Sequence, residues 1–153
     1  MKKEKMNDKG FSLVELIIVI AIMAVLVVVL APQYLKYVER SRNSTDLQNA
    51  TAIVTACQVW AADPTVAADK TFQAGTFAIT VTSSGASVTD PATGQNKVAA
   101  EAAVADASIT LSDVKCKSKT KWTQYVIKGT VNADGGITFG YDDAIFASAM
   151  AGE

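Results

Sequence analysis

The apolar pattern changes character twice along the chain. From Leu16 to Ala31 sixteen apolar residues follow one another without a break, and over residues 11–31 only Ser12 and Glu15 are polar. A stretch of about 20 predominantly apolar residues is long enough to cross a bilayer as a helix. The second pattern places Leu47, Ala50, Val54, Cys57 and Ala61 at steps of three and four, flanked by Ile53 and Trp60. That spacing gives one apolar helix face. Together the two predict a helix from Phe11 to Ala62, bent at Pro32 and stopped before Pro64. At 1.5 Å per residue it would be roughly 75–80 Å long.

After Asp63 the steps of three and four give way to alternation. "TFAITVT" turns Phe77, Ile79 and Val81 to one side, as expected of a half-buried strand. "DPATGQNK" is expected to be a loop, and alanine-rich "KVAAEAAVADA" a short helix. "KCKSKTKW" alternates strictly, with Lys115, Lys117, Lys119 and Lys121 on one face and Cys116, Ser118, Thr120 and Trp122 on the other. "YVIKGTVNADGGITFGY" predicts a hairpin turning at Asp134-Gly135. The fold class is therefore α+β: a long helix, apolar in its first half and amphipathic in its second, packed on a small antiparallel sheet. Four segments follow: a leader over 1–10, an apolar helix over 11–32, the amphipathic half of the same helix over 33–62, and a globular head over 63–153.

Charge and chemistry narrow the function. The formal net charge is −1 and there is no histidine. The first gives no nucleic-acid footprint, and the second removes the commonest general base and metal ligand. No phosphate-binding glycine loop, HExxH, GxSxG or CxxC occurs. The expectation is a protein without catalytic residues, metal or cofactor. Asp142-Asp143 reads as a surface turn rather than a cation site, because calcium usually takes six or more oxygen ligands.

The first ten residues hold four lysines, Glu4 and Asp8 ahead of the apolar run. A basic stretch before an apolar one marks export or membrane insertion. A secretory signal fits poorly, because the run is long and Pro32-Gln33-Tyr34 follows it. A plain anchor fits, with the lysines kept inside and the C-terminal part outside. So does a leader removed after Gly10, which would give Phe11 a free α-ammonium. On that last reading Glu15 has a purpose. Ammonium and carboxylate are both unwelcome in a packed apolar seam, and pairing them removes much of the penalty of several kcal/mol. The pairing, within a helix or between neighbouring ones, would help set the register of packed copies.

"KGFSLVELIIVIAIMAVLVVVLAPQYLKYVERSR", Lys9 to Arg42, resembles the N-terminus of type IV pilins. The likeness rests on the basic leader ending in Gly10, Phe11 after it, the glutamate five residues from the cut, the apolar run and the "PQY…Y…RSR" continuation. It covers roughly the first 45 residues; the short lysine-rich leader is similar to those of Gram-positive pilins. The resemblance implies cleavage between Gly10 and Phe11 by a prepilin peptidase, N-methylation of Phe11, and packing of the apolar helices in a filament core. It also implies guidance of the incoming subunit by Glu15, and a single-pass precursor in the cytoplasmic membrane that becomes an extracellular fibre. The partners it implies are further copies of the chain and the membrane assembly machinery. Pilins of this kind often have glycine where this chain has Ala24. The helix break is therefore expected only in the turn or two before Pro32, over residues 25–31.

The function expected is that of a major pilin, a structural subunit for adhesion or motility. The alternatives are a pseudopilin of a secretion or DNA-uptake system and a membrane-anchored binding protein that never polymerises. The lysine row reads as a solvated strand face or protected edge, or as a basic stripe for nucleic acid or host polymers. Cys57 and Cys116 face one interior; both a disulfide and two buried thiols fit that placement. Trp60 and Trp122 are expected in the core, and Tyr34 and Tyr37 in helix–helix packing near the membrane boundary.

Overall fold

The computed structural model describes residues 11–152 and divides into two units, one ending at Val38 and one beginning at Glu39. Helix α1, Leu13–Ala62, contributes to both. It starts two residues later than the pattern predicts, because Ser12 caps it. The helix is not interrupted at Pro32. Proline removes one amide donor, and the helix continues through it, residues 25–31 included, although four of those seven are valines of modest helix propensity.

In the first unit every large apolar residue from Leu13 to Leu30 is half or more exposed. The second unit contains the sheet. Its strands are β1 (Gly75–Val81), β2 (Ala86–Thr89), β3 (Tyr125–Val131) and β4 (Ile137–Tyr141), all antiparallel in the order β2-β1-β3-β4. A 3₁₀ turn over Ala68–Lys70 precedes the sheet, α2 (Gln95–Asp106) joins β2 to the segment before β3, and α3 (Ala144–Ala151) follows β4.

The alternating pattern places the core. Phe77, Ile79 and Val81 of β1 and Tyr125, Ile127 and Val131 of β3 are buried, together with Ala50, Ile53 and Cys57 of α1. Gly129 lies opposite Phe77 in the β1–β3 register, and a Cβ there would come within 2.3 Å of the Phe77 ring. The absence of a side chain at 129 is what lets the ring lie flat on the sheet. The hairpin turns where expected: Gly135 takes φ +85°, and the Asn132 amide donates to the Gly136 carbonyl at 2.8 Å.

Helix α3 supplies Phe146, fully buried, which stacks on Tyr125 with ring centroids 4.3 Å apart and meets Trp122 edge-on at 4.9 Å. Asp143 starts this helix by accepting the Phe146 amide at 2.8 Å, a side-chain N-cap. Its neighbour Asp142 pairs with Lys128 at 2.5 Å, so both aspartates have structural partners.

Candidate functional site

Two sites follow from the sequence, one in each unit. The first is the start of α1. Ser12 precedes the helix and Glu15 is its third residue, the S-x-x-E spacing of a capping box. The Ser12 hydroxyl accepts the Val14 amide at 3.3 Å, while Glu15 Oε2 accepts the Ser12 amide at 2.8 Å. The carboxylate is thus folded back over the helix end, four residues from Phe11, which is 93 % exposed. Each of these bonds uses groups from Ser12 onward, so a cut after Gly10 would leave them in place. Gly10 and the leader lie outside the described residues. Sequence reasoning assigned Glu15 a role toward a neighbouring ammonium and missed its role toward its own helix, although the serine three residues upstream was the signal for it.

The second site corrects the reading of "KCKSKTKW". This segment is not a strand. Its alternation is real, since Cys116, Ser118 and Trp122 are buried and all four lysines are exposed, though Thr120 is exposed with them. What takes the place of strand pairing is a pair of carboxylates on α1, seven residues apart and so on one helix face. Asp46, fully buried, accepts the Lys117 amide at 2.7 Å, the Ser118 amide at 2.8 Å and the Trp122 indole N–H at 2.9 Å. Glu39 Oε1 accepts the Lys119 amide at 2.7 Å, the Thr120 amide at 2.9 Å, and the hydroxyls of Ser118 and Thr120 at 3.0 Å each. Its other oxygen faces Arg42 at 3.5 Å. Four consecutive backbone amides, Lys117 to Thr120, therefore turn inward onto carboxylates. The lysine side chains are left facing solvent.

Among the described residues no cation pairs with Asp46; amide and indole dipoles balance its charge. Around it lie the Cys116 thiol, 3.5 Å from Asp46 Oδ2, and the Tyr125 hydroxyl, buried and without a hydrogen-bond partner among the described residues. Burial, reinforced by the Asp46 charge, pushes the Cys116 thiol up to about 12; burial alone does the same for Cys57. The two cysteines are separate thiols in this structure, both within the core. A protonated, buried thiol is a poor nucleophile, so neither is set up for chemistry as it stands.

Glu39 is held far down, at about 2, first by the Lys119 amide and then, against some loss of hydration, by the Thr120 amide and the two hydroxyls. A carboxyl whose folded value lies below its ordinary 4.5 adds stability above that value, and the addition fades as pH falls from 4.5 toward 2. We expect Glu39 to contribute about 2 kcal/mol at neutral pH, lost across that window. Thermal melts of wild type and Glu39→Gln between pH 7 and pH 2 check this: the two curves should converge at the acid end. A constant gap throughout would refute it.

Among the described residues no group of three or more Cys, Asp or Glu side chains is placed to hold a metal ion. The first site is a capped helix end beside exposed apolar surface, and the second fastens a loop to α1. The first of them lies within the residues that a known sequence family matches. Residues 5–31 match the prokaryotic N-terminal methylation motif. No curated protein and no solved structure matched the chain.

Proposed function

We propose that the chain, whose N-terminal methylation motif over residues 5–31 indicates a type IV pilin-like protein, is the major structural subunit of a type IV pilus, polymerising through the apolar half of α1. The supporting observation is that first unit. Between Leu13 and Leu30 all large apolar side chains are half or more exposed, with one carboxylate at the start. Exposed apolar surface on this scale needs lipid or other copies of itself. The span satisfies the length and composition of a membrane helix, which suits a precursor held in the membrane before assembly. Close packing of several such helices then replaces lipid with protein while leaving the backbone hydrogen bonds within each helix.

In this reading prepilin peptidase cuts between Gly10 and Phe11 and the new amine of Phe11 is methylated. Its positive charge then lies within reach of Glu15, on the same or a neighbouring helix. The second unit becomes the filament's outer surface, and the partners are other copies and the assembly machinery. Intact mass and N-terminal sequencing of the extracellular form test this. The expected chain begins at N-methylated Phe11 and is the main component of long surface fibres. Short, scarce fibres would instead indicate a pseudopilin. A chain that retains Met1 and stays monomeric would indicate a membrane-anchored binding protein.

A further inference from the structure

The second unit is electrically lopsided. From Glu39 onward the chain has nine basic and twelve acidic residues, and four of the nine basic ones fall within Lys115–Lys121. This row is fastened to α1 at Glu39 and Asp46, beside Arg40 and Arg42. The fastening uses backbone amides, so it fixes the loop and leaves every ammonium free to meet a partner. The acids beneath are taken up by those amides.

The other end of the same helix segment is acidic. Asp63 follows α1 directly, and α1 has no basic residue in its last turn to offset the partial negative charge of its C-terminus. Asp69 is held close by, since the Trp60 indole donates to the Lys70 carbonyl at 2.9 Å and Gln95 Nε2 donates to the Asp69 carbonyl at 2.5 Å. Asp106, at the end of α2, shares with Val59 and Trp60 a shallow groove of about 500 Å³. All three aspartates are exposed, and Lys70 is the one basic residue between Asp63 and Gln95. Some 20 residues of helix separate the basic and acidic ends, about 30 Å.

A body that is basic at one end and acidic at the other complements itself head to tail. Such a contact is heterologous: it does not close on itself in a pair, and repetition makes an open filament. We infer that the Lys115–Lys121 row of one copy docks against the Asp63, Asp69 and Asp106 end of the next. This rests on the subunit reading above and adds to it a second contact, outside the apolar core. The partner favoured is another copy rather than a polyanion, because outside the row the chain from Phe11 onward has six basic residues against thirteen acidic. That excess repels a polyanion and attracts the row. Single exposed ion pairs contribute little, but one such contact per subunit repeated along a fibre selects register and partner.

Charge exchange in the full chain tests the contact. Lys117→Glu with Lys119→Glu cancels the charge of the row, and Asp69→Lys with Asp106→Lys turns the acidic end basic. Each pair expressed alone should lower fibre yield about tenfold at physiological salt, and co-expression of the two chains should restore it as a mixed fibre. Lys117→Gln with Lys119→Gln, which adds no negative charge beside Glu39, should give an intermediate yield and fibres less sensitive to salt. Wild-type yield and salt response from both reversed chains would overturn the contact while leaving the subunit reading intact. So would normal fibres from the lysine-reversed chain that had lost only retention of double-stranded DNA, which would assign the row to nucleic acid. Absence of fibres from the unaltered chain would overturn the subunit reading, and the contact with it.

Discussion

Asp46→Ala should destabilise the second unit by about 4 kcal/mol and lower its melting temperature by roughly 15 °C or more. The carboxylate accepts from two backbone amides and an indole, all within 2.9 Å, at a position with no exposure to solvent. Removing it leaves three donors aimed at a methyl group. Each would cost about 1–3 kcal/mol if it stayed buried, and the total is limited only by how far the loop swings out to reach water. Relief from burying a charge offsets part of this, which is why the figure is below the simple sum. If the loop does swing out, the shielding of Cys116 goes with it. Alkylation of Cys116 by a small maleimide at neutral pH should therefore become fast in Asp46→Ala while Cys57 stays protected. A variant as stable as wild type, with Cys116 still unreactive, would show that the carboxylate is dispensable to the loop.

Glu15→Val should leave membrane insertion unchanged and reduce fibre yield to below about a tenth. The substitution removes two things at once: the charge offered to the amine of Phe11, and the acceptor that holds the Ser12 amide at 2.8 Å. Glutamine separates them, because Glu and Gln both complete a capping box. A lost cap costs about 1 kcal/mol in a helix of 50 residues, which is too little to abolish assembly. A buried ammonium left without its counter-charge costs several kcal/mol. Glu15→Gln is thus expected to assemble as poorly as Glu15→Val, and the yield of cell-surface fibres with each variant decides the matter. Wild-type yield from Glu15→Gln would mean that the cap, not the charge, is what assembly requires.

Legibility in the sequence tracked how local the determining interactions are. Helix α1 could be read because Ala50, Ile53 and Cys57 repeat at its own period, and β1 because Phe77, Ile79 and Val81 repeat at period two. The lysine segment misled for an instructive reason. Alternation reports which side chains face inward, and it did so correctly for Cys116, Ser118 and Trp122. It says nothing of where the backbone amides bond. Here they bond to Asp46 and Glu39, about 70 to 80 positions away, so no local pattern reveals it. A hint existed in Asp46, an acid on the same helix face as Ala50 and Ile53, since a carboxylate in an apolar stripe must find donors. Strand β2 is only four residues long, and α3, "AIFASAMA", is apolar on nearly every side, so neither shows a period to count.

The placement of Phe146 bears on the order in which the molecule is made. Its ring stacks on Tyr125 and abuts Trp122 and Tyr141, so the aromatic centre has a hole until residue 146 leaves the ribosome. The apolar segment over residues 11–31 emerges more than a hundred residues sooner. Synthesis of that segment thus precedes closure of the core by several seconds at ordinary translation rates of about 5–20 residues per second. Throughout that interval the space between Tyr125, Trp122 and Tyr141 stays unfilled, and the last helix to arrive is the one that closes it.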